Sequence, residues 1–282
     1  MKFKLAENIS IWAMRITVYS IILILSYVLI DIFINGISSV SLNFIVNFPR
    51  RSGAEGGILP AIAGTIYLAV LAVLFALPLG WGTAVYLNHY AQKGRFARSI
   101  RTAIITLAGM PSIVFGLFGL GFFVIFLGFG ASILAGSLTL ALMILPNLIV
   151  SSENALQAVP DSLKEASIAL GAKKRQTTLN VIIPYAFSGM ITGCMQSIGR
   201  TIGSTAPILL TAAAFYLRKL PNSIFDQVMA LPYHLYILST QHPEAHKIAH
   251  MQYGTALILI IFVLCFNISA VLLKRYFRKR SN

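Results

Sequence analysis

Six long apolar runs constrain this chain more than any other feature of its sequence. Charged residues make up only 11% of the 282 residues, whereas a soluble domain carries about a quarter. Each run reaches the length of about 20 residues that crosses the hydrocarbon core as a helix. The runs are continuous and do not alternate with polar residues, so a β-barrel is excluded. We predict an all-α polytopic membrane protein, with spans at residues 14–35, 61–87, 103–127, 132–152, 185–213 and 253–273.

Basic residues are distributed unequally among the segments that connect these runs. Sixteen of the 22 Lys and Arg residues lie in the N-terminal segment, loop 88–102, the central loop 153–184 and the C-terminal tail. Cytoplasmic loops carry the excess of Lys and Arg in membrane proteins. We therefore predict that both termini and the central loop are cytoplasmic. This distribution also accounts for the net charge of +14, which in a soluble protein would suggest nucleic-acid binding.

The central loop contains the longest polar stretch, EASIALGAKKRQTTLNVIIP at residues 165–184. Asp161 and Ser162 are suited to cap a helix start, because their side chains accept hydrogen bonds from free N–H groups of the first turn. Gly171 is suited to end that helix in a left-handed conformation. A second short helix is predicted from about Lys174 until Pro184 starts or breaks the next segment. By periodicity alone, this is a basic cytoplasmic loop with a short amphipathic helix.

The order of residues in this loop resembles the EAA loop of ABC importer permeases. That pattern is Glu-Ala-Ala, three residues, Gly, nine residues, Ile, one residue, Leu-Pro. Here Ser167, Val181 and Ile183 are small departures from it. The resemblance implies a coupling helix that docks on an ATPase subunit. The residues that it assigns to this coupling are Glu165, Ala166, Gly171 and Pro184.

Three further strings resemble the phosphate-specific ABC importer permeases, the PstA and PstC pair, and PstA more than PstC. They are GGILPAIAGT, MPSIVFGLFGLGFF and GRTIGSTAPILLTA, which begin at Gly56, Met110 and Gly199. The resemblance runs from about residue 53 to the C-terminus. It implies the type I importer permease fold for residues 53–282, preceded at 1–52 by a transmembrane helix and an outer loop. Within the second string, we expect Gly116, Gly119 and Gly121 to allow close helix packing.

The resemblance also implies partners and a location. The expected partners are a second permease of the PstC type, an ATPase dimer of the PstB type and a periplasmic phosphate-binding protein of the PstS type. The complex would lie in the bacterial inner membrane. The chain has no G-x-x-x-x-G-K-[ST] loop, the motif that cradles nucleotide phosphates. We therefore expect that it is not an enzyme, that it binds no cofactor, and that the partner ATPase uses the ATP.

Arg200 is a basic residue inside a predicted membrane span. A charge at the centre of a membrane helix costs roughly 2.5–3.5 kcal/mol on insertion scales, and it generally faces a cavity or a partner. A guanidinium offers a planar fork of donors that matches an oxyanion. We predict that Arg200 lines an anion pathway. The alternative is that it pairs with a carboxylate or carbonyl groups of a neighbouring subunit.

The sequence departs from the family beside this arginine. The family has Arg, two residues, then Gly-Glu-Thr-Ala-Pro, whereas Ser204 stands here in place of the Glu. An Arg–Glu pair within one helix is therefore not available. Either the counter-charge comes from the partner permease, or Ser204 and Thr205 bind the anion beside an unpaired Arg200.

Other functions remain open at this point. An importer for another oxyanion, such as sulfate or molybdate, would share the coupling loop. A secondary transporter or channel would need no ATPase, but acidic residues for a proton relay are scarce: only Asp31 of the eight could lie in the membrane. A signalling role is a further alternative.

The last outer loop carries His242, His246 and His250, spaced by four residues. On one helix these side chains would share a face and could bind a metal ion. Pro243 disfavours a helix through His242, so we predict no metal site. A short interfacial helix is predicted at residues 231–238.

Overall fold

The computed structural model describes residues 2–91, 94–243 and 245–280, and helices dominate its architecture. The β-sheet in these ranges is one short antiparallel hairpin with two residues in each strand, β1 (Pro49–Arg50) and β2 (Glu55–Gly56). Twelve α-helices occur in the described residues: α1 (Lys2–Ile37), α2 (Leu42–Val46), α3 (Leu59–Val85), α4 (Arg95–Ala108), α5 (Ser112–Gly119), α6 (Ile133–Gln157), α7 (Asp161–Ala169), α8 (Lys174–Thr177), α9 (Ile183–Ile202), α10 (Ala206–Thr211), α11 (Leu231–Thr240) and α12 (Ala249–Arg280).

The helices give five continuous candidate membrane spans and one bent pair. The continuous spans are Ser10–Ile37, Leu59–Tyr90, Ile133–Gln157, Lys174–Ile202 and Ala249–Ser269. The bent pair consists of α4 and Ser112–Phe126, which meet at an angle of 102°. Counted as one span, this pair completes the six that the sequence predicts.

The third predicted span, 103–127, is bent and not one continuous helix. The chain turns at Gly109–Pro111, and Pro111 adopts an extended conformation with ψ 140°. A proline lacks the N–H group that a continuing helix requires and disfavours helical geometry in the residue before it. Helix α4 also begins earlier than predicted, at Arg95, and it is strongly amphipathic.

Within the described ranges, three π-helical turns extend the membrane helices, at Tyr86–Tyr90, Leu120–Phe126 and Thr178–Ile182. The third joins α8 to α9 through a hydrogen bond from the Ile183 N–H to the Thr178 carbonyl. Pro184 follows directly and cannot donate to the residue four positions earlier. The wider turn lets the candidate span continue from Lys174 to Ile202. Pro184 lies in the first turn of α9, at the predicted start of the next segment.

The fifth predicted span, 185–213, is interrupted. Helix α9 ends at Ile202, residues 203–205 leave the helix, and α10 begins at Ala206. Pro207 in the first turn of α10 cannot extend the α9 hydrogen-bond ladder.

Two of the three glycines predicted to allow close helix packing do so. A Cβ at Gly116 would lie 3.0 Å from Pro207 Cα, and one at Gly119 would overlap Thr139, whereas Gly121 faces open space.

Helices α3 and α6 form the centre of the bundle, with α9 packed against both. In the most apolar 18-residue stretch of α6, two-thirds of the residues are buried, compared with one-third in the corresponding stretches of α3, α9 and α12. In α1 none of this stretch is buried. Helix α1 meets α12 near Asp31, which accepts a hydrogen bond from the Tyr253 hydroxyl at 3.0 Å. Most of the buried core of this chain therefore lies in residues 58–269, and Phe44 of α2 packs against it.

A partly buried ion pair connects three elements at one end of the bundle. Arg101 of α4 donates to Glu153 Oε1 of α6 from Nε at 2.9 Å and from Nη2 at 2.7 Å. The same Nη2 donates to the Leu87 carbonyl at 2.8 Å. The Glu153 side chain is 11% exposed and that of Arg101 is 39% exposed. This pair holds loop 88–102 against the start of the central loop, so the two basic loops share one side, as predicted.

Glu153→Ala is expected to destabilise the bundle. It leaves the Arg101 guanidinium partly buried without its counter-charge, and because Arg101 is partly exposed we expect a loss of about 1–3 kcal/mol. The thermal unfolding midpoint in detergent should fall by about 3 °C or more. Asp161→Ala is the matched control, since it removes an ion pair to Lys164 in which the carboxylate is 83% exposed. Equal midpoints for the two variants would contradict this role of Glu153.

Candidate functional site

A polar groove runs between α6 and α9. Its volume is about 330 Å³. The two helices approach closely because Gly193 faces Ser151 and Gly189 faces Ala155; a Cβ at either glycine would lie within 3 Å of the opposing side chain. The lining residues are Asn147, Val150, Ser151, Asn154, Gly193, Gln196, Ser197 and Arg200.

Arg200 is in the last turn of α9, where its exposed side chain lines this groove. Among the described residues it has no hydrogen-bond or ion-pair partner. Gln196 precedes it by four residues and therefore lies on the same helix face. No residue that lines the groove is acidic. The groove thus carries one fixed positive charge surrounded by neutral hydrogen-bonding groups.

The α6 wall of the groove is built from Asn147, Ser151 and Asn154, at positions i, i+4 and i+7 of one helix face. The Asn147 Nδ2 is fully buried and has no acceptor among the described residues. The two groove hydroxyls donate to backbone carbonyls of their own helices, Ser151 to Leu148 at 3.2 Å and Ser197 to Gly193 at 2.9 Å. Their oxygen lone pairs remain available as acceptors.

Only Arg200, of the three predicted pathway residues, lines the groove. Ser204 lies past the end of α9, and its hydroxyl is 3.6 Å from Met143 Sδ. Thr205 directly precedes α10. Because residues 203–205 leave the helix, Ser204 and Thr205 do not continue the helical register of Arg200. A binding role for these two residues stays a prediction.

Three amide side chains of the groove were not predicted as site residues: Asn147, Asn154 and Gln196. Asn147 lies in the predicted span 132–152 and Gln196 in the predicted span 185–213, whereas Asn154 falls in the predicted central loop 153–184, and none of the three carries a charge. The spacing of seven residues between Asn147 and Asn154, with Ser151 between them, is the signal that could have identified a polar helix face.

The central loop forms the predicted helix–turn–helix. Helix α7 ends in a pair of bonds that is typical of a glycine C-cap, from the Gly171 N–H to the Ile168 carbonyl and from the Ala172 N–H to the Ser167 carbonyl. Gly171 has φ +84°, and a Cβ there would meet no atom within 4 Å. The predicted cap at Asp161 and Ser162 is wrong, because α7 starts at Asp161 and neither side chain caps it. Asp161 instead accepts a hydrogen bond from Lys164, which lowers the pKa of its carboxyl group.

Helix α7 has no buried residue, and only Lys164 and Ser167 of its residues are half-buried. Glu165 and Ala166 are exposed, and so are three large apolar side chains, Leu163, Ile168 and Leu170, the last at 90%. Pro184 is also exposed, on the continuous helix that follows.

Contacts on both sides fix this exposed segment to the bundle. Ser167 and Thr177 hydroxyls are hydrogen-bonded at 2.9 Å and connect α7 to α8. Lys174 lies over the ring of Tyr90 at 5.3 Å. The buried side chains of Val159 and Ile182, before and after the loop, belong to one apolar cluster. A force on α7 can therefore reach α6 and α9, whose facing sides form the polar groove.

The outer-loop histidines do not share a helix face. His242 follows α11 in irregular structure, whereas His250 lies in α12. In residues 2–91, 94–243 and 245–280 there is no group of three or more His, Cys, Asp or Glu side chains able to hold a metal ion. Helix α11 confirms the short helix predicted at 231–238.

A different histidine in this region is buried. His234 of α11 is fully inaccessible and stacks on Phe215 with ring centroids 6.1 Å apart. Neither ring nitrogen has a hydrogen-bond partner in the described residues. Burial lowers the pKa of His234 to about 4.

Comparisons with known proteins give the family. Residues 76–282 match the family described as binding-protein-dependent transport system inner membrane component. The chain is 36% identical over 252 residues to the probable ABC transporter permease protein YqgI of Bacillus subtilis, with 85% of each chain covered. It is 42% identical over 214 residues to the phosphate transport system permease protein PstA of Mycobacterium leprae, covering 76% of this chain and 69% of the relative.

Solved structures show the same fold. A bacterial alginate ABC transporter, in complex with a periplasmic protein bound to an alginate pentasaccharide, superposes with a TM-score of 0.63 at 14% identity, covering 96% of this chain and 93% of that one. The inward-facing MetNI methionine ABC transporter gives 0.61 at 17% identity, covering 78% and 97%. At these identities the likeness concerns the fold alone.

The buried His234 predicts that stability depends on pH. The unfolded chain binds a proton near the ordinary pKa of 6.5, whereas folded His234 binds one only near 4. Unfolded protein therefore binds more protons between these values, and the free energy of unfolding should fall as the pH is lowered from about 6.5 to 4. At about 1.4 kcal/mol per pKa unit, the full loss is roughly 3 kcal/mol.

Thermal unfolding in detergent across this pH range measures the effect. His234→Phe should flatten the dependence, because it removes the titrating group and keeps an aromatic ring against Phe215. His246→Phe, at an exposed position, serves as the control and should retain the wild-type dependence. An unchanged pH dependence in His234→Phe would show that other groups cause it.

Proposed function

The chain belongs to the binding-protein-dependent transport system inner membrane components, and we infer from this that it is a multi-pass permease subunit of a phosphate ABC importer in the bacterial inner membrane. The observation that supports phosphate as the substrate is the similarity of this chain to permeases named for phosphate transport. It is 42% identical to the PstA protein of Mycobacterium leprae and 35% identical to the probable PstA protein of Methanocaldococcus jannaschii, over three-quarters of this chain in both cases.

We propose that the anion passes along the groove between α6 and α9. Arg200 provides the fixed positive charge of this groove. Moving a phosphate ion through a medium of low dielectric constant is costly, because the ion loses its hydration. An unpaired guanidinium in the groove offsets part of that cost by Coulomb attraction and by hydrogen bonds. The lack of a hydrogen-bond or ion-pair partner for Arg200 in the described part of the chain supports this role. Ser204 and Thr205, just beyond α9, extend the proposed path.

We assign coupling to the ATPase to helix α7 and the residues around it. Its exposed apolar side chains offer a surface that can be buried in a groove of a cytoplasmic subunit. Glu165 can pair there with a basic residue, Ala166 permits close approach, and Gly171 sets the turn that presents the helix. Pro184, with the wide turn before it, lies where motion of α7 would pass into α9.

The proposed complex contains this chain, a second permease, two ATPase subunits and a substrate-binding protein outside the membrane. The expected types are PstC, PstB and PstS. This chain contributes half of the pathway and a docking surface, and ATP is bound and hydrolysed by the partner. Both termini lie in the cytoplasm, on the side where the basic loops 88–102 and 153–184 meet.

Uptake of radiolabelled phosphate by proteoliposomes tests this function. The vesicles should contain the chain with its co-purifying subunits, and uptake should require both ATP and the binding protein. Arg200→Ala should reduce uptake to background while the ATPase subunits still co-purify. Lys219→Ala, an outer-loop cation outside the groove, is the matched control and should transport normally. Phosphate flux without ATP would overturn the importer assignment, and wild-type uptake by Arg200→Ala would remove Arg200 from the pathway.

Gly171 variants test the coupling surface. Valine is disfavoured at φ +84° by about 1–2 kcal/mol, whereas asparagine tolerates this conformation. Because a Cβ at this position meets no neighbour, any effect reports on backbone conformation. We expect Gly171→Val to lose most of the co-purified ATPase, and Gly171→Asn to keep the larger part. Equal recovery of ATPase with both variants would mean that the left-handed turn is not required for docking.

A further inference from the structure

The groove offers more to an anion than a single positive charge. We propose that the amides of Asn147, Asn154 and Gln196 bind the oxygens and the hydroxyl groups of the permeating phosphate, in place of the carboxylate that this chain lacks next to Arg200. The proposal rests on the proposed function and adds three binding residues to it. All three amides line the same groove as Arg200.

The state of Asn147 is the first observation. Its Nδ2 is fully buried and finds no acceptor among the described residues. An amide buried in this way costs free energy of about 1–3 kcal/mol unless it is hydrogen-bonded. Because Asn147 lines the groove, rotation of its amide toward the groove would bring this donor to a phosphate oxygen. Binding of the anion then recovers the free-energy cost of the unpaired amide.

The exposure of Gln196 is the second observation. Gln196 lies in the predicted span 185–213 and is exposed on a helix long and apolar enough to cross a membrane. Against hydrocarbon, an unpaired amide would be costly in free energy, so this side of α9 faces a polar path or a partner. Asn154 is exposed near the end of α6, in the segment predicted to be cytoplasmic. The opposite side of α9 is suited to apolar contacts, since Ile198 and Ile202 line an apolar cavity shared with α3 and α12.

The chemistry of the groups matches phosphate. Hydrogen phosphate presents both acceptor oxygens and a P–OH donor, and each amide presents both a donor NH₂ and an acceptor carbonyl. The hydroxyls of Ser151 and Ser197 add acceptors, because their protons are already donated to the backbone. Sulfate carries no O–H group at neutral pH and cannot use these acceptors. A volume of about 330 Å³ holds the anion with several waters, each of which takes about 30 Å³ in the liquid.

The spacing along α6 fits a path rather than a single pocket. Asn147 and Asn154 are seven residues apart, which is about 10 Å along a helix. On α9, Gln196 lies between the levels of Gly193 and Arg200. A phosphate ion that leaves Arg200 can therefore exchange its hydrogen bonds to one amide for hydrogen bonds to the next. These bonds replace part of the water that the ion has lost.

The test uses the reconstituted complex of this chain with its partner permease, ATPase and phosphate-loaded binding protein. Asn147→Leu and Gln196→Leu each remove an amide at similar volume. Asn267→Leu is the matched control. Asn267 is an asparagine of α12 that contacts α9 from outside the groove, where a Cβ at Gly199 would lie 3.1 Å from its Oδ1. Two quantities are measured: ATP hydrolysis stimulated by the loaded binding protein, and phosphate transported per ATP hydrolysed.

We expect both groove variants to transport about tenfold less phosphate per ATP, which corresponds to the loss of one good hydrogen bond. Stimulated hydrolysis should stay within about twofold of wild type. The control should change neither quantity. Asn147→Asp should lose more than Asn147→Leu, because a carboxylate repels the anion, and it should recover relative to wild type at lower pH as the carboxyl group is protonated.

Wild-type transport ratios in both leucine variants would overturn the proposal. So would a loss of the same size in Asn267→Leu. If Asn147→Leu does not assemble, Gln196→Leu decides the question, because its side chain is exposed in this chain and contributes little to packing. A wild-type complex that takes up no phosphate would instead refute the proposed function, so the two failures are distinct.

Discussion

The free-energy cost of an unsatisfied polar group in hydrocarbon controls the architecture of this protein. It keeps nearly every span helical, and it makes the polar face shared by α6 and α9 conspicuous. Arg200 and Gln196 of α9 would be costly in free energy against lipid tails. Their exposed positions therefore mark the side of the bundle that faces the pathway and a second subunit, whereas α1, whose most apolar stretch has no buried residue, is free to face lipid.

The same constraint explains where the membrane helices are irregular. The chain leaves helical geometry at Gly109–Pro111 and at residues 203–205, and in both places a proline prevents continuation. Neither break is isolated from the protein, because Gly116 of α5 packs on Pro207 of α10. The two interruptions thus support each other. The second one ends α9 directly after Arg200 and sets how far the helical face of the groove extends.

Contacts at one end of the bundle connect the groove to the exposed helix α7. The Arg101–Glu153 pair holds α4 to α6, and the Ser167–Thr177 bond and the Lys174–Tyr90 contact hold the loop in place. Helix α7 follows α6 and leads into the continuous helix from Lys174 to Ile202. The two helices that form the groove, α6 and α9, therefore also flank the central loop, so a displacement of α7 acts on both groove walls.

The sequence by itself determined the features that depend on local chemistry. Continuous apolar runs predicted the membrane spans, the distribution of Lys and Arg placed two basic loops on one side, and Gly171 predicted the left-handed turn. Only the tertiary structure decided which polar side chains meet. Asn147 and Gln196 are 49 residues apart in the chain and converge because Gly193 and Gly189 let α6 and α9 approach closely. Ser204, one turn beyond Arg200 in sequence, is separated from it by the end of α9. Such outcomes depend on helix packing and on where a helix stops, which residue spacing does not specify.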